Sequence, residues 1–186
     1  MADQRWVADR ESIHRELERA RADLHQLVSD ASTSGLTRRT TGTRWTNGQM
    51  LWHMAFGYLI VWRLLPLVRL FGRLPDGFSR TFATALNATA RPFHVVNYLG
   101  SVGGALVFRG PRLTKQLDST IIRLHRRLDA ESDESLSRRM HFPVGWDPFF
   151  RDTMTLAEVY HFGTQHYEFH RAQLTLDPTS GSEALR

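Results

Sequence analysis

The sequence contains no cysteine, and Lys115 is the single lysine among its 24 Lys and Arg residues, which leaves 23 arginines. Without cysteine the chain has no disulfide scaffold, no zinc ribbon, no CxxC redox centre and no thiol nucleophile of its own. The first residues, MADQRWVADRESIHRELERARAD, are polar and mixed in charge. They lack the apolar region of a secretory signal, so a cytoplasmic location is expected. No low-complexity tract or internal repeat interrupts the 186 residues, 41% of which are hydrophobic. That length suits one domain with a sizeable core, expected over 1–178, and a disordered tail at 179–186.

The formal net charge is +5, yet the basic residues form no stripe. Arg10, Arg15, Arg19 and Arg21 alternate with Asp9, Glu11, Glu16, Glu18 and Asp23. That pattern is a solvated helix face with ion pairs at helical spacing, so no nucleic-acid partner is expected. The most hydrophobic span, 50–71, holds His53, Arg63, Pro66 and Arg69. Two arginines and a proline fit a buried helix better than a membrane crossing, so no stable membrane insertion is expected. GSVGG at 100–104 lacks the lysine and the strand–turn–helix setting of a phosphate loop.

Four long helices are expected, near 3–30, 47–65, 111–130 and 155–175. In the first, Trp6, Ile13, Leu17, Ala20, Leu24 and Leu27 recur at helical spacing. Thr46–Gln49 and Thr155–Glu158 read as capping boxes that start the second and fourth, with Trp45/Met50 and Met154/Val159 as hydrophobic staples. Pro66 is expected to end or kink the second helix. Pro111 opens the third, whose stripe is Leu113, Leu117, Ile121, Leu124 and Leu128. No strand period is visible. The long connections 72–110 and 131–154 are too apolar and aromatic to be free linkers. Their segments 91–109 and 141–150 are expected to cover the end that carries His53 and His170. The fold class is therefore all-α: a four-helix bundle with long crossover connections.

Nine histidines are a surplus for this length, and their positions sort them. His166 and His170, four apart on one helix, lie within about 40° of each other and can present two imidazoles to one ion. Such a pair also occurs on helices that bind no metal. His161 lies about 180° from His170 and cannot join it. His53 stands on the second helix among Gln49, Met50, Phe56 and Gly57, a plausible inward face. His14 and His25 fall off their helix's apolar stripe and are expected to face solvent, while His125 adjoins no other candidate ligand. Three neutral imidazoles with no local carboxylate suit Zn²⁺ or Ni²⁺ and leave a position for water or substrate. Asn97, Tyr98, Trp146 and Asp147 are candidate pocket residues. Residues such as Tyr98 and Trp146 are more often core aromatics, and an Asp before a proline, as Asp147 is before Pro148, is more often a turn residue or helix cap.

WTNGQMLWHM at the second helix start and TQHYEFHRAQL in the last helix resemble the DinB/YfiT-like superfamily of metal-binding four-helix bundles. The resemblance lies in a Trp, a polar helix start and a His in the first motif, and in HxxxHRxQ in the second. It implies a metal triad of His53, His166 and His170, with Arg171 and Gln173 supporting rather than ligating. It implies a divalent ion and, as in better-understood members, a transferase or isomerase using a low-molecular-weight thiol such as mycothiol or bacillithiol. A bound ion would activate water or that thiol towards a small-molecule substrate. The alternative is a non-catalytic metal-binding or interaction module, stress-related and dimeric; a homodimer fits either reading.

Overall fold

The computed structural model describes residues 9–176. The expectations for the first eight residues, Trp6 included, and for the tail at 179–186 lie outside the described residues. The protein is mostly helical, with helices α1 (Arg10–Asp30), α2 (Thr33–Thr37), α3 (Asn47–Phe71), α4 (Asp76–Asn87), α5 (Ala90–Val107), α6 (Pro111–Asp129), α7 (Asp133–Ser137) and α8 (Leu156–Arg171). Strands β1 (Arg139–His141) and β2 (Thr153–Thr155) complete it.

The four expected long helices are α1, α3, α6 and α8. They pack in a closed ring, α1 on α6, α6 on α3, α3 on α8 and α8 on α1. The stripes read from spacing form the core: Ile13, Leu17 and Leu24 of α1 are fully buried, as are Leu117, Ile121, Leu124 and Leu128 of α6. At about 25 cal/mol per Å² of apolar surface removed from water, each such side chain contributes roughly 1.5–3 kcal/mol. Both capping boxes form, so each of these helices starts where its sequence says. Thr46 N–H donates to Gln49 Oε1 at 3.0 Å, and Thr155 N–H donates to Glu158 Oε2 at 2.7 Å.

Some expectations need correction. Helix α3 does not end near Leu65 but runs through Pro66 to Phe71. Pro66 faces solvent while Leu65 and Val68 are fully buried, so the missing donor falls on the outside and packing carries the helix past it. The 72–110 connection carries helices of its own, α4 and α5. A two-stranded antiparallel sheet pairs Met140 with Met154; three-residue strands are too short to show an alternating period. His14 does not face solvent. It stacks on His125, with ring centroids 4.8 Å apart, and its Nε2 lies 3.0 Å from Asp129. His125 in turn pairs with Glu18 at 2.7 Å, because this face of α1 is covered by α6.

Two connections fix the segments near the histidines. Helix α5 lies against α3 at Gly104, where a Cβ would stand 2.1 Å from Trp52 Nε1. Trp52 then stacks on Phe108 at 4.4 Å. The chain after α8 ends its helix at Arg171, earlier than expected, and is pinned back to the start of α3. Thr175 N–H donates to Asn47 Oδ1 at 3.0 Å, and Asn47 Nδ2 donates to the Gly35 carbonyl at 2.8 Å. Helix α3 is long and apolar enough to cross a membrane by composition. Here it is the central element, and Met50, Met54, Tyr58, Val61 and Leu65 are fully buried in the core.

Candidate metal centre

His53 comes from the second turn of α3, and His166 and His170 from the last two turns of α8. These helices cross closely because each has a glycine where the other has a ring. A Cβ on Gly57 would stand 2.9 Å from His166 Cδ2, and one on Gly163 would stand 2.9 Å from Tyr58 Cε1. The three imidazoles therefore meet: their centroids are 4.5–4.9 Å apart. One ring nitrogen from each lies within 4.8 Å of the others. His53 and His166 are buried and His170 is half-buried.

The orientation of each ring is set from outside the cluster. His166 Nδ1 lies 3.0 Å from Asp147 Oδ2, His170 Nδ1 lies 2.8 Å from Gln173 Oε1, and His53 Nδ1 lies 3.0 Å from Ser101 Oγ. A carboxylate and an amide oxygen only accept, so His166 and His170 carry their proton on Nδ1. Ser101 donates its own proton to the Asn97 carbonyl at 2.8 Å, which leaves its oxygen to accept from His53 Nδ1. Nε2 is then the free lone pair on all three rings. Among the described residues, His166 Nε2 is buried with no hydrogen-bond partner.

Electrostatics favours the same state. Burial, then the neighbouring His166 and His170, holds the His53 pKa well below its ordinary 6.5. Burial, then His166, lowers that of His170 to about 4, against the opposing bond to Gln173. Both rings are neutral at pH 7 and offer nitrogen lone pairs rather than protons. Three converging lone pairs with no donor between them fit a cation: the three histidines can hold a metal ion. Their outward bonds to a carboxylate, an amide and a hydroxyl are the supports that ligating histidines ordinarily have.

A cavity of about 490 Å³ opens beside the triad and is lined by His53 and His166. Of the four candidate pocket residues, Asn97, Trp146 and Asp147 line it. Tyr98 does not; it stacks outside on Trp45, at 6.3 Å. Asp147 serves in both of the ways its sequence allowed. Oδ1 accepts from Phe149 N–H at 2.9 Å and shapes the turn, while Oδ2 holds His166. Trp146 stacks on Phe93 at 4.0 Å and donates Nε1–H to the Leu86 carbonyl at 2.8 Å. Loop 143–150 is thus bonded to α4 and stacked on α5, and both expected covering segments reach the triad.

The remaining histidines stay outside the centre. His161 Nδ1 pairs with the buried Glu16 at 2.9 Å, and His25 pairs with Asp118 at 2.8 Å. Arg171 is an anchor: its Nε and Nη2 both donate to Asp23 of α1, which also accepts from Tyr167 Oη at 2.8 Å. Two residues escaped the sequence reading. Ser101 was visible only inside a glycine-rich run, and Trp45, read as a staple, packs on His53 at 4.4 Å. A lone serine in an apolar stretch would have been a signal once α5 was recognised as a helix.

Comparison with known protein families bears on this arrangement. The sequence model of the DinB superfamily matches residues 16–174, a span that includes the whole triad. Comparisons with curated proteins and with solved structures return no match. The match covers most of the described chain, and the protein belongs to the DinB superfamily.

Proposed function

We propose that this protein is a divalent-metal-dependent enzyme built on a four-helix bundle of the DinB type. Its three histidines would hold Zn²⁺ or Ni²⁺ and activate either water or a low-molecular-weight thiol for attack on a small molecule. The observation that carries this reading is the common orientation of the triad. Ser101, Asp147 and Gln173 hold the three Nδ1 atoms outward, and every Nε2 is left without a proton. When bound, the ion would lower the pKa of a coordinated water or thiol and supply a nucleophile at neutral pH.

The chain's own residues do the rest. The histidines bind, and their three outer partners prevent the rings from rotating. Asp147 is committed to His166 and to its turn, so its carboxylate orients and does not shuttle protons. Trp146 and Phe93 wall the cavity and exclude water from one side of the triad. Because the sequence has no cysteine, a thiol nucleophile would be a cosubstrate such as mycothiol or bacillithiol. The cavity favours catalysis over a purely structural metal site: a structural triad has no need of a 490 Å³ space that reaches two of its ligands. The expected setting is the cytoplasm.

The test is a loaded-protein assay. Protein reconstituted with Zn²⁺ or Ni²⁺ is screened for transfer or hydrolysis with and without added thiol, beside His53→Ala. Turnover that needs both metal and His53 supports the reading. Full metal occupancy without turnover on any thiol or hydrolytic substrate would favour a non-catalytic metal module.

A further inference from the structure

The cleft beside the triad has a shape and a polarity that limit what it can hold. Its α3 wall is the stripe His53, Phe56, Ile60, Leu64 and Leu67. At a rise of 1.5 Å per residue, that stripe is about 20 Å long. A compact body of about 490 Å³ would be only about 10 Å across, so a cavity lined along about 20 Å of helix is elongated. That shape suits an extended ligand better than a globular one of the same volume.

The polar groups are gathered at one end. His53, His166, Asp147 and Asn97 stand together there, and beyond them the lining is apolar apart from Arg63. Arg63 is exposed, with its guanidinium 4.8 Å over the Trp62 ring. Asp147 is already paired with His166, so no free carboxylate invites a cationic body. Asn97 is half-buried in the wall, one helical turn from Ser101. Polar groups gathered beside the triad, in a lining that is otherwise almost wholly apolar, match a molecule with a polar head and an apolar tail.

We propose that the cleft binds an elongated, uncharged-bodied amphiphile. Its alkyl or aryl-alkyl tail would lie along α3 towards Leu67, with its polar, reacting head at the triad beside Asn97. The assignment of the head as the reacting end rests on the catalytic reading above; the assignment of the tail does not. Buried methylene groups contribute additively, so each added carbon should tighten binding about fourfold until the passage is full.

The experiment is calorimetric titration of a series of straight-chain primary alcohols, butanol to decanol, into metal-free and Zn²⁺-loaded protein. The expected result is a fall in Kd of about fourfold per methylene, then a plateau. Ile60→Trp, in the middle of the passage, should move the plateau to shorter alcohols, and Leu67→Trp, at its far end, should move it less. Two sites keep the test valid if one variant fails to fold, which far-UV circular dichroism would show. Affinity that does not depend on chain length, or a plateau unmoved in both folded variants, would overturn the proposal. Chain-length dependence in a protein whose triad takes up no metal would leave the ligand class standing and remove the catalytic reading. Stoichiometric metal uptake with no chain-length dependence would do the reverse.

Discussion

Asp147 Oδ2 accepts from His166 Nδ1 across 3.0 Å, and this contact ties the 143–150 loop to the histidine triad. Removing the carboxylate frees the ring to rotate and to change tautomer. Asp147→Ala is expected to weaken metal binding by about 10- to 100-fold while leaving the helical circular dichroism unchanged. Competition against a chromogenic chelator measures this. An unchanged affinity would show that His166 is held in place without Asp147.

Gly57 makes room for His166, since a Cβ there would stand 2.9 Å from the imidazole. Gly57→Ala should improve the intrinsic helix propensity of α3 by about 1 kcal/mol and yet impair the metal site, because His166 must move. The two effects separate in one variant: metal affinity should fall even if the melting temperature holds. Gly100→Ala is the control, with nothing within 4 Å of its added methyl group.

The parts of this molecule that were legible in its sequence are those written in local code. Capping boxes at Thr46 and Thr155 announced two helix starts, and Leu113 to Leu128 announced a buried face. The pairing of His166 with His170 follows from helical spacing alone. Nothing local brings His53 to them; that depends on the α3–α8 crossing, which Gly57 and Gly163 permit, and the sequence offered only an inward-facing position for His53 and the family resemblance. Helix α5 was hidden because its glycines argue against a helix, while its packing at Gly104 on Trp52 overrides that propensity. With α5 went Ser101. The β1–β2 pair was hidden by its shortness.

His141 provides a pH-dependent brace beside the cleft. Its Nδ1 lies 3.0 Å from Asp152 and its Nε2 3.0 Å from Asp76 at the start of α4. Arg80 also pairs with Asp76, and Ser79 Oγ accepts from the His141 N–H. Bonds to Asp152 and then Asp76 raise the His141 pKa above its ordinary 6.5. A raised folded-state pKa means that the brace contributes fully below pH 6.5 and is lost as pH rises through the folded value. Wild-type protein should therefore exceed His141→Gln in melting temperature at pH 6, with the gap narrowing towards pH 9. A gap that stays constant or widens with pH would contradict this.

The core of α6 should behave as a packed interior. Leu124 is fully exposure-free at the α1–α6–α3 interface, so Leu124→Ala should cost about 2–5 kcal/mol in denaturant unfolding. Ile122, which is 42% exposed on the same helix, should tolerate alanine with a loss of roughly 0.5 kcal/mol or less.

His53, His166 and His170 are expected to form one metal site through their Nε2 atoms. The most direct test is the metal content of purified protein refolded with Zn²⁺ or Ni²⁺ and dialysed, measured for wild type and single histidine variants. One ion per wild-type chain is expected, and almost none in His53→Ala, His166→Ala or His170→Ala. His125→Ala and His161→Ala should retain the ion, because those rings are paired with Glu18 and Glu16 away from the centre. Stoichiometric metal in His166→Ala, or none in the wild type, would contradict it.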